Sequence, residues 1–168
     1  MELAKEAVER TRAMARSLHD LSHRLHPAKL RMLGLVPALQ SLCGESPQNV
    51  TITFSHHNVP DRIPEDLALC LFRIAQEALQ NAMKHGGAHT VSVELTGKHS
   101  VLALLIVDDG IGFDVGAEST KGLGLISMRE RLEPLGGTLE IHSQPGAGTR
   151  VQIAVPVALP RSTKATIA

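Results

Sequence analysis

The residues Leu67 to Gly86, LALCLFRIAQEALQNAMKHG, constrain this chain more than any other stretch. Apolar residues recur at Leu71, Ile74, Ala75, Ala78, Leu79 and Ala82, the spacing of one core-facing helical stripe. At ~100° per residue, Arg73, Gln76, Glu77, Gln80, Asn81 and Lys84 share an arc of about 140° on the other side. Glu77 and Asn81 stand one turn apart. Taken alone, the arc fits either a solvated face or a working one. Asn81 weighs against the first, because its side chain competes for backbone hydrogen bonds inside a helix.

The rest of the chain arranges itself around that helix. Met1 to His26 has helical periodicity, with Leu18, Leu21 and Leu25 on one stripe, and Pro27 marks a break. Ala28 to Cys43 predicts a second helix, stopped by Gly44 and Pro47. Val50 to Ser55 alternates and is β-branched, so a strand is expected. A polar loop, His56 to Pro64, leads into the central helix, whose first turn suits Pro64 and Glu65. Thr90 to Leu95 and Val101 to Asp108 predict two strands joined by a turn at Gly97-Lys98-His99. A glycine-rich loop runs from Gly110 to Gly124. Leu125 to Leu135 predicts a helix with Met128 and Leu132 inward, capped by Gly136-Gly137. Leu139 to His142 and Thr149 to Val155 predict the last hairpin, and Pro160 to Ala168 a frayed tail.

That order predicts an α+β fold: one mixed, mostly antiparallel sheet with helices on one face, preceded by a helical segment. The expected units are 1–43, 48–157 and a tail over 158–168. With 3 Phe and neither Trp nor Tyr, the core has to be aliphatic. Lys+Arg and Asp+Glu are both 17, a balance that argues against nucleic acid or a membrane surface as direct partners. There is no apolar run near the ~20 residues of a membrane span. Cys43 and Cys70 fit no zinc spacing and sit in apolar contexts, as buried thiols do. A cytoplasmic location follows.

Two loops could carry chemistry. Asp108-Asp109-Gly110-Ile111-Gly112 follows an apolar strand directly. A carboxylate there can accept a hydrogen bond from an exocyclic amine, and glycines beyond it admit a flat ring. An ordinary Asp-Gly turn is the competing reading. Lys121-Gly122-Leu123-Gly124 opens a helix, where backbone amides favour phosphate. Val115 and Ser127 break G-x-G-x-x-G in both loops, and no G-x-x-x-x-G-K-[ST] is present.

Together these blocks resemble the Bergerat-type (GHKL) nucleotide-binding domain of sensor histidine kinases, a two-layer α/β sandwich. RIAQEALQNAMKHG resembles that family's N box, VDDGIGF its first glycine box, KGLGLISMRERL its second, and GAGTRV its closing strand. Upstream, LSHRLHPAKLRMLGLVPAL resembles the second helix of the dimerisation and histidine-phosphotransfer domain, in the version that signals to NarL-type response regulators. The resemblance covers about Ser17 to Val155. No separate phenylalanine-containing lid box is visible, as in that subfamily.

The resemblance implies ATP and Mg²⁺ as cofactors. Asn81 would give an oxygen to Mg²⁺, and Glu77 would position a metal-bound water or assist as a polar group. Lys84 and His85 would reach the phosphates. Asp108 would accept the adenine amine, and Gly110 and Gly112 would admit the base. Gly122, Leu123 and Gly124 would form the lid hinge and meet the phosphates, with Thr149 approaching them. The segment Phe113 to Lys121 would be the lid. Implied partners are a NarL-type response regulator with DNA-binding output, the protein's own phosphotransfer domain, and a second subunit in the full-length protein.

His19, His23 and His26 share one helical face. They fit an interfacial face, a metal site, or a phosphoacceptor, since Arg16-Ser17-Leu18-His19-Asp20 echoes the family's acceptor box. LHPAKLRMLGL follows too closely for a hairpin and return helix, so the expected acceptor lies N-terminal to this chain. An anti-sigma-type serine kinase and a gyrase-B-like clamp use the same fold, and the LSHRLHP helix argues against both. A non-catalytic nucleotide adaptor is a further alternative, opposed by the intact Asn81 and Asp108.

Overall fold

The computed structural model describes residues 29–45, 47, 49–118 and 123–157. The three-histidine face, Lys121, Gly122 and the tail expected at 158–168 lie outside the described residues.

Five strands form one sheet: β1 (Thr51–His57), β2 (Thr90–Lys98), β3 (Val101–Asp108), β4 (Thr138–Ser143) and β5 (Thr149–Pro156). Their spatial order is β1-β2-β3-β5-β4. β1 pairs with β2 in parallel and every other pair is antiparallel. This is the expected mixed sheet. The parallel pair needs a crossover, and the central helix α2 (Glu65–Lys84) supplies it. The other helices are α1 (Leu35–Gly44), the single turn α3 (Val115–Glu118) and α4 (Leu123–Leu132), which runs into a 3₁₀ turn at Glu133–Leu135.

The core lies between the sheet and the helices. Leu71, Ile74, Ala75, Ala78, Leu79 and Ala82 of α2 are all buried, against Val93, Leu95, Leu104, Ile106 and Ile153 of the sheet. Met128 and Leu132 of α4 complete it, as their spacing predicts. It is aliphatic apart from Phe72, the one aromatic side chain among the buried described residues. Cys43 and Cys70 are buried free thiols, and burial pushes both up to about 11.

Two local expectations need correction. The helix expected over Ala28 to Cys43 is interrupted: residues 29–33 are helical, Gly34 has φ 85°, and α1 starts again at Leu35. Pro37 explains the break. In a continuous helix its ring would strike the Leu33 carbonyl, and it has no N–H to donate there. Consequently Leu30, Leu35 and Leu39 are buried while Leu33 is exposed. The β2–β3 turn is also shifted. Lys98 pairs with Val101, so the turn is His99-Ser100, with φ of 49° and 60°. Gly97 belongs to β2, where a Cβ would strike the Asn58 carbonyl.

Candidate functional site

A cavity of about 580 Å³ opens between α2, α4 and the ends of β3 and β5. Of the predicted site residues, Glu77, Asn81, His85, Asp108, Gly112, Gly124 and Thr149 line it. Ile106, Met128 and Val151 give it an apolar wall. Lys84 is exposed and does not line it; Gly110 is buried beside it. Leu123 starts α4. Apart from Lys84, the polar arc of α2 is therefore not a solvated face: Gln76 is 8% exposed, and Arg73, Glu77, Gln80 and Asn81 are half-buried.

At the end of β3 the two aspartates have opposite surroundings. Asp108 Oδ1 accepts the Gly110 amide at 2.9 Å and the Thr149 amide at 3.2 Å. Burial pushes its carboxyl above the usual range; those amides pull it back, and the neighbouring Asp109 charge pushes it further up. Asp109 is a clamp. Its Oδ1 accepts the His89 and Thr90 amides at 2.8 and 2.9 Å, and its Oδ2 accepts the Thr90 hydroxyl at 2.8 Å. The Thr90 bonds, backbone then side chain, and the His89 bond lower it to about 2. Nothing in an Asp-Asp-Gly string distinguishes the two roles; the alternation of the strand does, since adjacent residues point to opposite faces.

The glycines here make room for backbone. The Ile111 amide donates to the Gly86 carbonyl at 2.8 Å, and a Cβ on Gly110 would lie 2.5 Å from the same oxygen. The Gly146 amide donates to the Ile111 carbonyl at 2.6 Å. Gly112 has φ 60° and Gly148 φ 73°; a Cβ on the latter would strike the Asp108 carbonyl. Ser143, which sequence reasoning passed over, links the loop to the last hairpin. Its Oγ accepts from the Phe113 amide at 2.9 Å and donates to the Gly148 carbonyl at 2.9 Å.

On the α2–α4 side contacts are made by fit. Gly124 sits where any Cβ would meet the Glu77 carboxylate. The Cys70 thiol donates to the Arg131 carbonyl at 3.3 Å, tying α4 to α2. Within the segment expected to be a lid, Val115–Glu118 forms one helical turn, with the Gly116 amide donating to Asp114 Oδ1 at 2.9 Å.

The donor set suits a hard cation only in part. Asn81 and Glu77 bring side-chain oxygens to the cavity one turn apart, but no cluster of three or more His, Cys, Asp or Glu side chains occurs among the described residues. That pattern fits Mg²⁺, which takes one or two protein oxygens and completes its shell with phosphates and water.

A sheet backed by helices, with a strand-end carboxylate facing a half-buried Asn across an apolar cavity, defines a class of nucleotide-binding ATPases. The sequence profile described as "Histidine kinase-, DNA gyrase B-, and HSP90-like ATPase" matches residues 67–159, more than half of the chain. The chain belongs to that family. It is 35% identical over 127 residues to the signal transduction histidine-protein kinase/phosphatase DegS of Brevibacillus brevis, covering 74% of this chain and 33% of that protein. It is 34% identical over 133 residues to the sensor protein VraS of Staphylococcus aureus, covering 79% and 38%. The chain thus spans about a third of the length of these relatives. The fold matches the ATP-binding domain of PrrB from Mycobacterium tuberculosis, with a TM-score of 0.54 at 23% identity, over 74% of this chain and 92% of that one. No helix among the described residues is long and apolar enough to cross a membrane.

Proposed function

We propose that this chain is the ATP-binding catalytic part of a sensor histidine kinase. It holds Mg-ATP and passes the γ-phosphoryl to a histidine on a dimerisation and phosphotransfer domain, from which an aspartate of a response regulator receives it. The observation that carries this reading is the Asp108–Thr149–Gly110 arrangement facing Asn81 and Glu77 across one cavity.

In this reading Asp108 accepts the adenine amine, and Gly110 and Gly112 let the base lie against the backbone. Asn81 would give an oxygen to Mg²⁺, which would supply neutralisation of phosphate charge. Glu77 orients a water or the attacking group, and His85 and Thr149 approach the phosphates. The Gly122-Leu123-Gly124 stretch supplies amides to the same phosphates. Lys84 reaches them by its flexible stem, from outside the cavity lining. Phosphoryl transfer asks the protein mainly for positioning and charge neutralisation, which these residues can provide. The 1–43 segment serves as the second helix of the phosphotransfer domain, 48–157 as the catalytic domain and 158–168 as a tail. Names and identities of DegS and VraS support the kinase reading; the LHPAKLRMLGL segment supports a NarL-type regulator, a dimer in the full-length protein, and a cytoplasmic site of action.

The test is transfer from γ-labelled ATP with Mg²⁺ to a phosphotransfer domain of the DegS kind. Acid-labile, base-stable label on histidine is expected, and Asn81→Ala should abolish it while adenosine affinity holds. Absence of label with the unsubstituted chain, or a parallel fall of adenosine affinity and transfer in Asn81→Ala, counts against the assignment.

A further inference from the structure

A second, smaller space adjoins the nucleotide cavity. It measures about 90 Å³ and is lined by Arg73, Glu77, Gly124, Ser127, Met128 and Arg131. Glu77, Gly124 and Met128 line both spaces, so the small one is an annex of the large one. The axis of α2 orders the site. The Gly86 carbonyl, bonded to Ile111, marks the Asp108 end. Asn81 and then Glu77 follow toward the N-terminus, and Arg73 stands one turn beyond, about 18 Å from His85 at 1.5 Å per residue. The annex lies at the end remote from Asp108.

Both arginines there are held. The Arg73 guanidinium donates from Nη1 to Gln76 Oε1 at 2.9 Å, and Gln76 is itself 8% exposed. Arg131 Nε donates to Ser127 Oγ at 3.3 Å, and its backbone carbonyl is tied to α2 through Cys70. No described carboxylate lies within ion-pair distance of Arg131. Two guanidinium groups and one carboxylate, Glu77, line the annex. Burial, followed by the charge of Arg131, pushes Arg73 below its usual range, as expected of a cation held in a desolvated, like-charged setting. An oxyanion relieves both effects, and a guanidinium fork suits its geometry.

We propose that Arg73 and Arg131 form an oxyanion site that takes the terminal phosphoryl of the bound nucleoside triphosphate. This deepens the nucleotide reading above and rests on it. The pair makes no contact with the base end, so it sets preference for triphosphate over diphosphate, not affinity for the nucleoside.

The test is calorimetry on the whole chain with Mg²⁺, comparing a non-hydrolysable ATP analogue with ADP. Arg131 is exposed, so Arg131→Ala should fold normally. It should lower the triphosphate-to-diphosphate affinity ratio about tenfold, the effect of one charge-assisted contact, while ADP affinity and the unfolding midpoint stay put. Arg131→Lys, which keeps the charge and loses the fork, should fall between. An unchanged ratio in Arg131→Ala overturns the proposal. So does loss of ADP affinity in step with the analogue. If inorganic phosphate binds the ADP-saturated chain and Arg131→Ala removes that binding at an unchanged ratio, the site belongs to free phosphate and the nucleotide assignment falls. Failure of the unsubstituted chain to bind either nucleotide would instead sink the nucleotide reading, and this one with it.

Discussion

The two walls of the cavity are built by different means. The sheet wall, from Asp108 through Gly112 to Thr149, is fixed by hydrogen bonds of 2.6–3.2 Å between backbone and short side chains. The helix wall, from Arg73 through Glu77 to Gly124 and Met128, is held mainly by packing and by a few side-chain hydrogen bonds, and carries long charged side chains. A flat base is recognised best by groups that cannot move. A phosphate chain, whose charge is redistributed on transfer, is met by charged side chains already held in place, as Arg73 is by Gln76 and Arg131 by Ser127. The difference teaches that this site separates recognition built on backbone from charge carried on long side chains.

Substitutions should expose that difference. The largest effect is expected for Gly148→Ala. Its backbone is left-handed and its Cβ would displace the Asp108 carbonyl, a neighbour that cannot yield. A loss of about 3 kcal/mol is expected in thermal unfolding. A midpoint equal to that of the parent protein would mean that the sheet wall is softer than its bonds suggest.

Next comes Asp108→Asn, which keeps an acceptor oxygen but loses the charge and can present a donor to the adenine amine. One charged hydrogen bond is worth ~1.5–3 kcal/mol, or roughly one to two decades in nucleotide affinity. Calorimetry giving equal affinities would remove Asp108 from the base site.

A smaller effect should separate the neighbouring aspartates by pH. Asp109 is lowered to about 2, so its stabilisation is complete above the ordinary carboxylate pKa of about 4 and is lost as pH falls through about 2. Asp108 is raised, so its ionisation above the ordinary range opposes folding. Asp109→Asn should therefore flatten the loss of stability between about pH 4 and pH 2. Denaturant midpoints across that interval decide it; the same slope in both proteins would mean that the clamp to Thr90 is not formed in solution.

The smallest change is expected for Gly124→Ala. The added methyl meets only the end of the Glu77 side chain, which can swing aside, and alanine favours the helix by roughly 1 kcal/mol over glycine. Stability should stay within about 1 kcal/mol of the parent. A fall as large as that of Gly148→Ala would erase the distinction between the walls.

Much of this was legible in the sequence because it depends on periodicity. The α2 stripe, the alternation of β1, and Met128 and Leu132 of α4 each follow from local spacing. The strand-end position of Asp108 and the neighbouring glycines were legible too. What escaped depends on residues distant in sequence. Asp109 finds its partners twenty residues back, at His89 and Thr90, and Ser143 meets Phe113 thirty residues away. Gly110 is small because of Gly86, and Gly97 because of Asn58. The break at Gly34 was legible in principle: Pro37 forbids the continuous helix, three residues downstream of where the chain bends.

The position of β5 inside the sheet sets an order of assembly. It lies between β3 and β4, though it follows both of them in the sequence. Until it inserts, β3 presents an open hydrogen-bonding edge to any other chain, the arrangement that invites aggregation. The same insertion brings Thr149 to Asp108. A nascent or clipped chain that stops short of β5 therefore has the whole of α2 and Asp108, yet no complete pocket. Ligand binding and resistance to proteolysis should appear together, at the moment β5 docks.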